Sequence, residues 1–267
     1  MLKIAVCAKQ VPDTDIPPSQ FKVDEGALRV IPPAGVPPIV NGFDMNAVEA
    51  ALRLRDAGVE CEIVIFSVGT EFALDVMKKP LAIGADRLVL VDDEASESLD
   101  ALGTARVLAA AIERDGGADL VLAGRQASDW DQAHVPIMLS EIMSAPLVTL
   151  VRNLAMNGGG ESFEVERVAE GGFQRIECPI PAVMTVTNEL GEARYANLRG
   201  IMAATRKQPE TMTIADLGIG DVANNGKLEM TRLFVPISES NVEFIEGEDE
   251  ADSGRLLALR LREAKLI

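Results

Sequence analysis

The chain is poor in the residues from which most metal and nucleophilic sites are built. It has one histidine, His134, and three cysteines, Cys7, Cys61 and Cys178. A single histidine excludes a multi-histidine metal site. The cysteines are far apart and each sits in an apolar, strand-like run, so they read as buried thiols rather than disulfide partners or metal ligands. Long apolar runs are missing too: they reach about eight residues before a charge or proline intervenes, where roughly 20 are needed to cross a bilayer. The opening run closes at Lys9, too short for the core of a signal peptide, and the expected compartment is the cytoplasm. Bases are scarce, 25 Lys and Arg against 42 Asp and Glu, for a net charge of −17. Such a surface repels phosphate backbones and excludes a nucleic-acid partner, and it suits a protein that meets basic protein patches. Also absent are a G-x-x-x-x-G-K-S/T phosphate loop, a G-x-S-x-G nucleophile turn and an H-E-x-x-H zinc motif, so kinase and hydrolase readings have nothing to stand on.

What remains is a chain of 267 residues, 48% hydrophobic, with ample material for a core. Short apolar runs at Lys3–Ala8, Glu62–Ser67, Leu88–Val91, Leu120–Ala123, Leu147–Val151 and Ala182–Val186 predict strands apolar on both faces, as in a parallel sheet covered by helices. Between them, Asp44–Asp56 and Asp100–Arg114 carry apolar residues at helical spacing, and Gly58 follows the first. Strand alternating with helix predicts an α/β fold, a doubly wound, mostly parallel sheet of Rossmann-like type.

Three segments depart from that alternation. Residues 10–40 contain seven prolines and no helical period, an irregular excursion of a length that is usually functional. The run Asn157-Gly158-Gly159-Gly160 and the pair Gly171-Gly172 punctuate two strands, Phe163–Val168 and Phe173–Glu177, predicting an antiparallel flank. After Arg206 the pattern fades into turn residues and a strand-like Leu233–Val235. Then come residues 239–252, with seven acids and no base, and a terminal helix capped by Ser253 or Asp252 with Leu256, Leu257, Leu259 and Leu261. The expected division is 1–206 as the α/β domain and 207–267 as a C-terminal arm and helix that packs on a partner. Gly218-Ile219-Gly220-Asp221-Val222-Ala223 matches a dinucleotide fingerprint by letter, but no strand precedes it and no βαβ unit follows, so it is set aside.

The segment from Gly124 to His134 follows the strand Leu120–Ala123 and precedes an apolar helix, Val135–Met143. In a doubly wound sheet, ligands lie at the carboxyl ends of strands near the point where strand order reverses. Small residues here let the backbone approach a ligand, and helix-start amides suit a phosphate. On these residues alone a solvated, Asp-capped surface loop is the slightly better account.

Seven stretches, in order, then resemble the small (beta) subunit of electron transfer flavoproteins. They are Lys9-x-Val11-Pro12-Asp13-Thr14; Asn41-Gly42-Phe43-Asp44; Gly84-Ala85-Asp86-Arg87; Gly124-Arg125-Gln126-Ala127-x-Asp129-x-Asp131; Val165-Glu166-Arg167 with Gly171-Gly172; Pro181-Ala182-Val183; and Arg194-Tyr195-Ala196-x-Leu198-x-x-Ile201-Met202. The resemblance implies an electron carrier without a catalytic acid or base, paired with a larger alpha subunit that holds most of an FAD. It implies an AMP, or in electron-bifurcating members a second FAD together with NADH, held by this chain. By matched position the contacts would be Cys7, Asn41, Gly42, Phe43, Asp44, Val68, Gly124, Arg125, Gln126, Ala127, Ser128, Asp129, Trp130, Asp131, Gln132, Ala133, His134 and Val135, with Asp13 and Thr14 near the alpha subunit's flavin. It implies a recognition loop, 190–203, in which Leu198 with Tyr195, Ile201 and Met202 docks acyl-CoA dehydrogenases or other flavin dehydrogenases, and a membrane quinone oxidoreductase as acceptor. The sequence departs from the family's pattern at Trp130, His134, Val135 and Pro136, and at Val168, where some members carry an acid. A stand-alone nucleotide-binding signalling domain of the universal-stress type is the rival from another class. An ATP-cleaving synthetase of the same fold group lacks its glycine-rich loop after strand one.

Overall fold

A computed structural model describes residues 1–222, 225–236 and 242–267. In chain order the elements are β1 (Leu2–Cys7), β2 (Gln10–Val11), β3 (Lys22–Asp24), β4 (Arg29–Ile31), β5 (Ile39–Val40), α1 (Gly42–Asp56), β6 (Cys61–Gly69), α2 (Leu74–Met77), α3 (Lys79–Ile83) and β7 (Arg87–Asp92). They continue as α4 (Ala101–Arg114), β8 (Leu120–Gly124), α5 (His134–Ile142), β9 (Leu147–Met156), β10 (Ser162–Ala169), β11 (Gly172–Pro179), β12 (Ala182–Val186), α6 (Leu198–Arg206), β13 (Glu210–Met212) and α7 (Glu250–Glu263). No described helix is long and apolar enough to cross a membrane.

Nine strands form one sheet in the order β11-β10-β9-β12-β8-β1-β6-β7-β13. Pairings from β9 through β13 are parallel, and β10 and β11 add the antiparallel flank. The apolar-on-both-faces reading of the strands is the physical origin of this arrangement. On β1, Ile4 and Val6 face a core shared with α1 and α3, whereas Ala5 and Cys7 face a second core shared with α4 and α5. Val6, Ile65 and Leu122 have no measurable exposure, and burying each such side chain stabilises the fold by about 1.5–3 kcal/mol. From β1 the chain winds outward through β6 and β7, then crosses back through α4 to β8 on the other side of β1. The strand order therefore reverses between β1 and β8, the place where a doubly wound sheet offers a ligand crevice at the carboxyl ends of its strands.

Several expectations are amended. The 10–40 excursion is not wholly irregular: β2 pairs with β5, and β3 with β4, in two short antiparallel ribbons. Asp249, not Ser253 or Asp252, caps α7, accepting the Asp252 N–H at 2.7 Å, so the helix starts earlier than its apolar residues indicate. Leu233–Val235 forms no strand. Gly218 ends a short 3-10 turn, which removes the structural context a dinucleotide fingerprint needs; the last residue of that motif, Ala223, lies outside the described residues, as does the start of the acidic segment 239–252. The sheet also runs past residue 206, because β13 pairs with β7 and Ile214 and Val222 join the second core.

Candidate functional site

Three elements meet at the reversal point: the end of β1, the start of α1, and the loop from β8 to α5. Asp44, in the first turn of α1, is buried, and its carboxylate accepts the Lys9 N–H at 2.8 Å and the Gly124 N–H at 2.9 Å. One side chain thus ties both strand ends to the helix. Burial pushes its carboxyl up to about 6, against the opposing pull of those two amides, Asn41 and the Lys9 charge. Gly124 admits no larger residue, since a Cβ there would lie 2.6 Å from Asp44 Oδ1 and 2.6 Å from Phe43 Cβ.

Asn41 occupies the N-cap position of α1 yet makes no capping bond. Its side chain is spent on the neighbouring loop instead, donating to the Gln126 carbonyl at 2.8 Å and accepting the Ser128 N–H at 3.2 Å. Within the loop, Gln126 Nε2 donates to Asp131 at 2.6 Å, and Arg125 lies over the Phe43 ring, 5.3 Å from its centroid. Lys9 reaches across from β1 to Asp129 at 2.6 Å. Asp131 and Ala133 both take left-handed backbone angles, φ 51 and 56, which turn the chain sharply into α5. Ala133 stands at the N-cap of α5 and caps nothing, and Pro136 has no N–H to give. The first amides of α5 therefore face outward without a side-chain partner.

The wall of the crevice is apolar. Cys7, Ala123, Val68 and Val135 pack into one cluster, and burial, with the nearby Asp44 charge, pushes the Cys7 thiol up to about 12. Gln132 and His134 are exposed, and Trp130 is 43% exposed at the rim. Gly42 is exposed at the head of α1, and Ala127 is half-buried in the loop. Asp13 and Thr14 stand apart: Asp13 accepts the Asp15 N–H in a local turn, and no hydrogen bond or ion pair links either to this cluster.

Among the described residues, two hydroxyls, Ser67 Oγ near the end of β6 and Ser128 Oγ in the loop, are buried with no hydrogen-bond partner. A buried hydroxyl without a partner carries a desolvation cost that a bound ligand would offset. The sequence marks Ser128 as a contact and Lys9 only as the start of a family-like stretch, and it gives no sign of Ser67. Ser67 is one polar residue inside an apolar strand, and Lys9 gains meaning only when the fold brings Asp129 to it.

The second cluster is on the surface. Tyr195, Leu198, Ile201 and Met202 are 91%, 73%, 48% and 53% exposed. The second half of the expected loop is helical: α6 begins at Leu198, capped by Asn197, whose side chain accepts the Gly200 N–H at 2.8 Å. Residues 190–194, which lead into it, lie along α1. Glu49, buried in mid-helix, accepts Arg194 Nε at 2.8 Å, Arg194 Nη2 at 3.1 Å and Arg53 Nε at 3.0 Å. Burial alone would push Glu49 up, but these hydrogen bonds hold it below the usual carboxylate range.

Comparison with known proteins gives the family of the chain. Residues 30–217 match the family model described as the electron transfer flavoprotein domain. The chain belongs to the beta-subunit branch of the electron transfer flavoprotein family. It is 34% identical over 269 residues to the caffeyl-CoA reductase-Etf complex subunit CarD of Acetobacterium woodii, with 100% of both chains covered. It is 33% identical to the electron transfer flavoprotein subunit beta of Megasphaera elsdenii, covering 93% of each chain. To that of Thermoanaerobacterium thermosaccharolyticum it is 36% identical over 82% of this chain and 81% of the relative. The role of the chain is accordingly that of an electron transfer flavoprotein subunit.

Proposed function

We propose that this chain is the beta subunit of a heterodimeric electron transfer flavoprotein, with an adenine nucleotide in the crevice between β1 and β8 and a dehydrogenase-docking helix at α6. The observation that carries the reading is the crevice itself. Two helices, α1 and α5, begin there without side-chain caps, and the Ser128 hydroxyl is buried beside them with no partner. Open helix-start amides favour a phosphate. The apolar wall of Cys7, Ala123, Val68 and Val135 favours the flat, weakly polar adenine. Asn41, Asp44 and Gly124 would then act as the frame, and Ser128, His134 and Val135 as contacts to the nucleotide.

The residues present fit such a group, and none of them is placed as a catalytic acid or base. In this reading the chain is a carrier subunit: it binds, orients and docks. An FAD shared with a larger alpha subunit supplies the electron chemistry when bound, taking electrons from a flavin dehydrogenase such as an acyl-CoA dehydrogenase. The relative named as part of a caffeyl-CoA reductase complex supports a partner of that kind. A membrane quinone oxidoreductase would be the acceptor.

The test is to coexpress the chain with its larger subunit, purify the complex, and count flavin and AMP per heterodimer after denaturation. One FAD and one AMP is the expected result. Two FAD and no AMP would assign a second flavin to the crevice and make NADH reduction the next assay. No complex and no flavin would overturn the reading.

A further inference from the structure

The start of α1 builds the nucleotide crevice, and a polar stripe farther along the same helix does something else. Asn46, Glu49, Arg53 and Asp56 recur at three- and four-residue spacing and so share one face of the helix. Every one of them grips the segment that leads into α6. Asn46 Nδ2 donates to the Gly191 carbonyl at 2.7 Å, and Arg53 Nη1 donates to the Leu190 carbonyl at 2.6 Å. Arg194 gives its backbone N–H and two guanidinium nitrogens to Glu49, and its Nη2 also donates to Asp56 at 2.6 Å.

Such a concentration of charge-assisted bonds is unusual for a surface segment. Glu49 is 5% exposed, so its bonds to Arg194 are shielded from water, and a forked guanidinium contact fixes orientation as well as distance. Arg194 is four residues before Leu198, the first residue of α6. Within α6, Gly200 sits where a Cβ would lie 2.2 Å from the Ala82 carbonyl oxygen, so the helix lies directly on α3. Held at Arg194 and again at Gly200, the exposed side chains of Tyr195, Leu198, Ile201 and Met202 are presented on a fixed platform. An apolar anchor that is already ordered loses less conformational entropy on binding.

We propose that the polar stripe of α1, with Glu49 and Arg194 as its centre, is a clamp that positions the docking helix for the electron-donating partner. Arg194 is a positioning residue, acting through Leu198 and touching neither flavin nor nucleotide. The inference rests on the reading of α6 as the docking surface. It adds that one helix serves both functional regions, bracing the nucleotide crevice at its start and the docking segment along its length.

The experiment uses the purified heterodimer and the acyl-CoA dehydrogenase that reduces the wild-type protein, with KM and kcat measured for Arg194→Ala, Arg194→Lys, Leu198→Ala and the double variant Arg194→Ala/Leu198→Ala. The expected result is a KM about tenfold higher for Arg194→Ala, with kcat within twofold and flavin and nucleotide content unchanged. Lys should recover part of the loss, because it keeps the charge but not the fork. In the Leu198→Ala background, Arg194→Ala should add clearly less than it does alone, since the largest part of what the clamp positions is already gone. A KM within twofold of wild type for Arg194→Ala, beside a raised KM for Leu198→Ala, would overturn the clamp and leave the docking surface standing. An unchanged KM for Leu198→Ala would overturn the docking surface and the clamp with it. Fully multiplicative effects in the double variant, or loss of flavin parallel to the rise in KM, would assign Arg194 to folding alone. Should Arg194→Ala give no folded heterodimer, Glu49→Gln is read by the same split and the same outcomes.

Discussion

Asp44 holds the crevice together by two opposed effects. Low dielectric around it disfavours the charged carboxylate, while the Lys9 and Gly124 amides favour it, and burial prevails, lifting the carboxyl to about 6. The unfolded value is about 3.9. Between those two values the folded chain holds a proton at Asp44 that the unfolded chain has lost. Stability contributed through this group therefore falls as pH rises from about 4 to 6 and is level above it, by an amount on the order of 3 kcal/mol. The carboxyl-carbon resonance of Asp44 should titrate with a midpoint near 6; a midpoint below 4 would show that the two amides outweigh burial. Gly124 is the complementary case. Gly124→Ala drives a methyl into the Asp44 carboxylate and, at 2.7 Å, the backbone of Phe43. The expected cost is about 1–3 kcal/mol in urea unfolding, with loss of bound nucleotide. Neither result follows from the sequence alone. The family resemblance marks Asp44 and Gly124 as nucleotide contacts, but not that they touch each other; that comes only from the fold bringing together positions 80 apart in the chain.

Among elements, those with a strong apolar period were legible. The central strands read as runs apolar on both faces because helices cover both faces, and α1 and α4 read as amphipathic because each rests on one. The ribbons of the 10–40 segment were not, since two- and three-residue strands are too short to show alternation. Helix α6 is hidden in the sequence for a different reason. Its inward residues are Gly200 and Ala204, small ones that fit the closeness of α3, while its large apolar residues face outward. A pattern that normally marks the buried side marks the exposed side here. Gly200 is therefore diagnostic of the packing. Gly200→Ala must move α6 off the Ala82 carbonyl. It should raise KM for the dehydrogenase at least several-fold while leaving the melting temperature of the α/β unit within a few degrees, because Ala204 is the one described residue of α6 in the core. An unchanged KM would mean that α6 needs no close seat on α3 to dock.

At the scale of the whole molecule, both cores end by Val222, and the outer part of the C-terminal arm, the described chain beyond that residue, lies outside them. Among the described residues, no member of either core lies beyond Val222, and α7 contributes no buried residue at all. The arm nonetheless exposes Leu228, Val242, Phe244, Leu257 and Leu259, an apolar content that a free chain would not stably present to water. One link to the α/β unit is polar and local, the Lys227 N–H donating to Asp100 at 2.7 Å beside the cap of α4. In the proposed heterodimer, a larger subunit would cover the exposed apolar side chains. Truncation after Pro236 removes α7 and most of that apolar surface but keeps the Asp100 contact. The isolated truncated chain should then melt cooperatively within a few degrees of the full-length chain, because nothing it has lost is part of a core. The same truncation should abolish copurification with the larger subunit, since the deleted residues have no other surface to cover. If instead the truncated chain loses its cooperative melt, α7 folds back on its own α/β unit and the heterodimer must be held by another face. If it melts normally and still copurifies, the exposed side chains of α7 are dispensable for pairing. Only a stable truncated chain that has lost its partner joins the unburied helix to the assembly of the carrier.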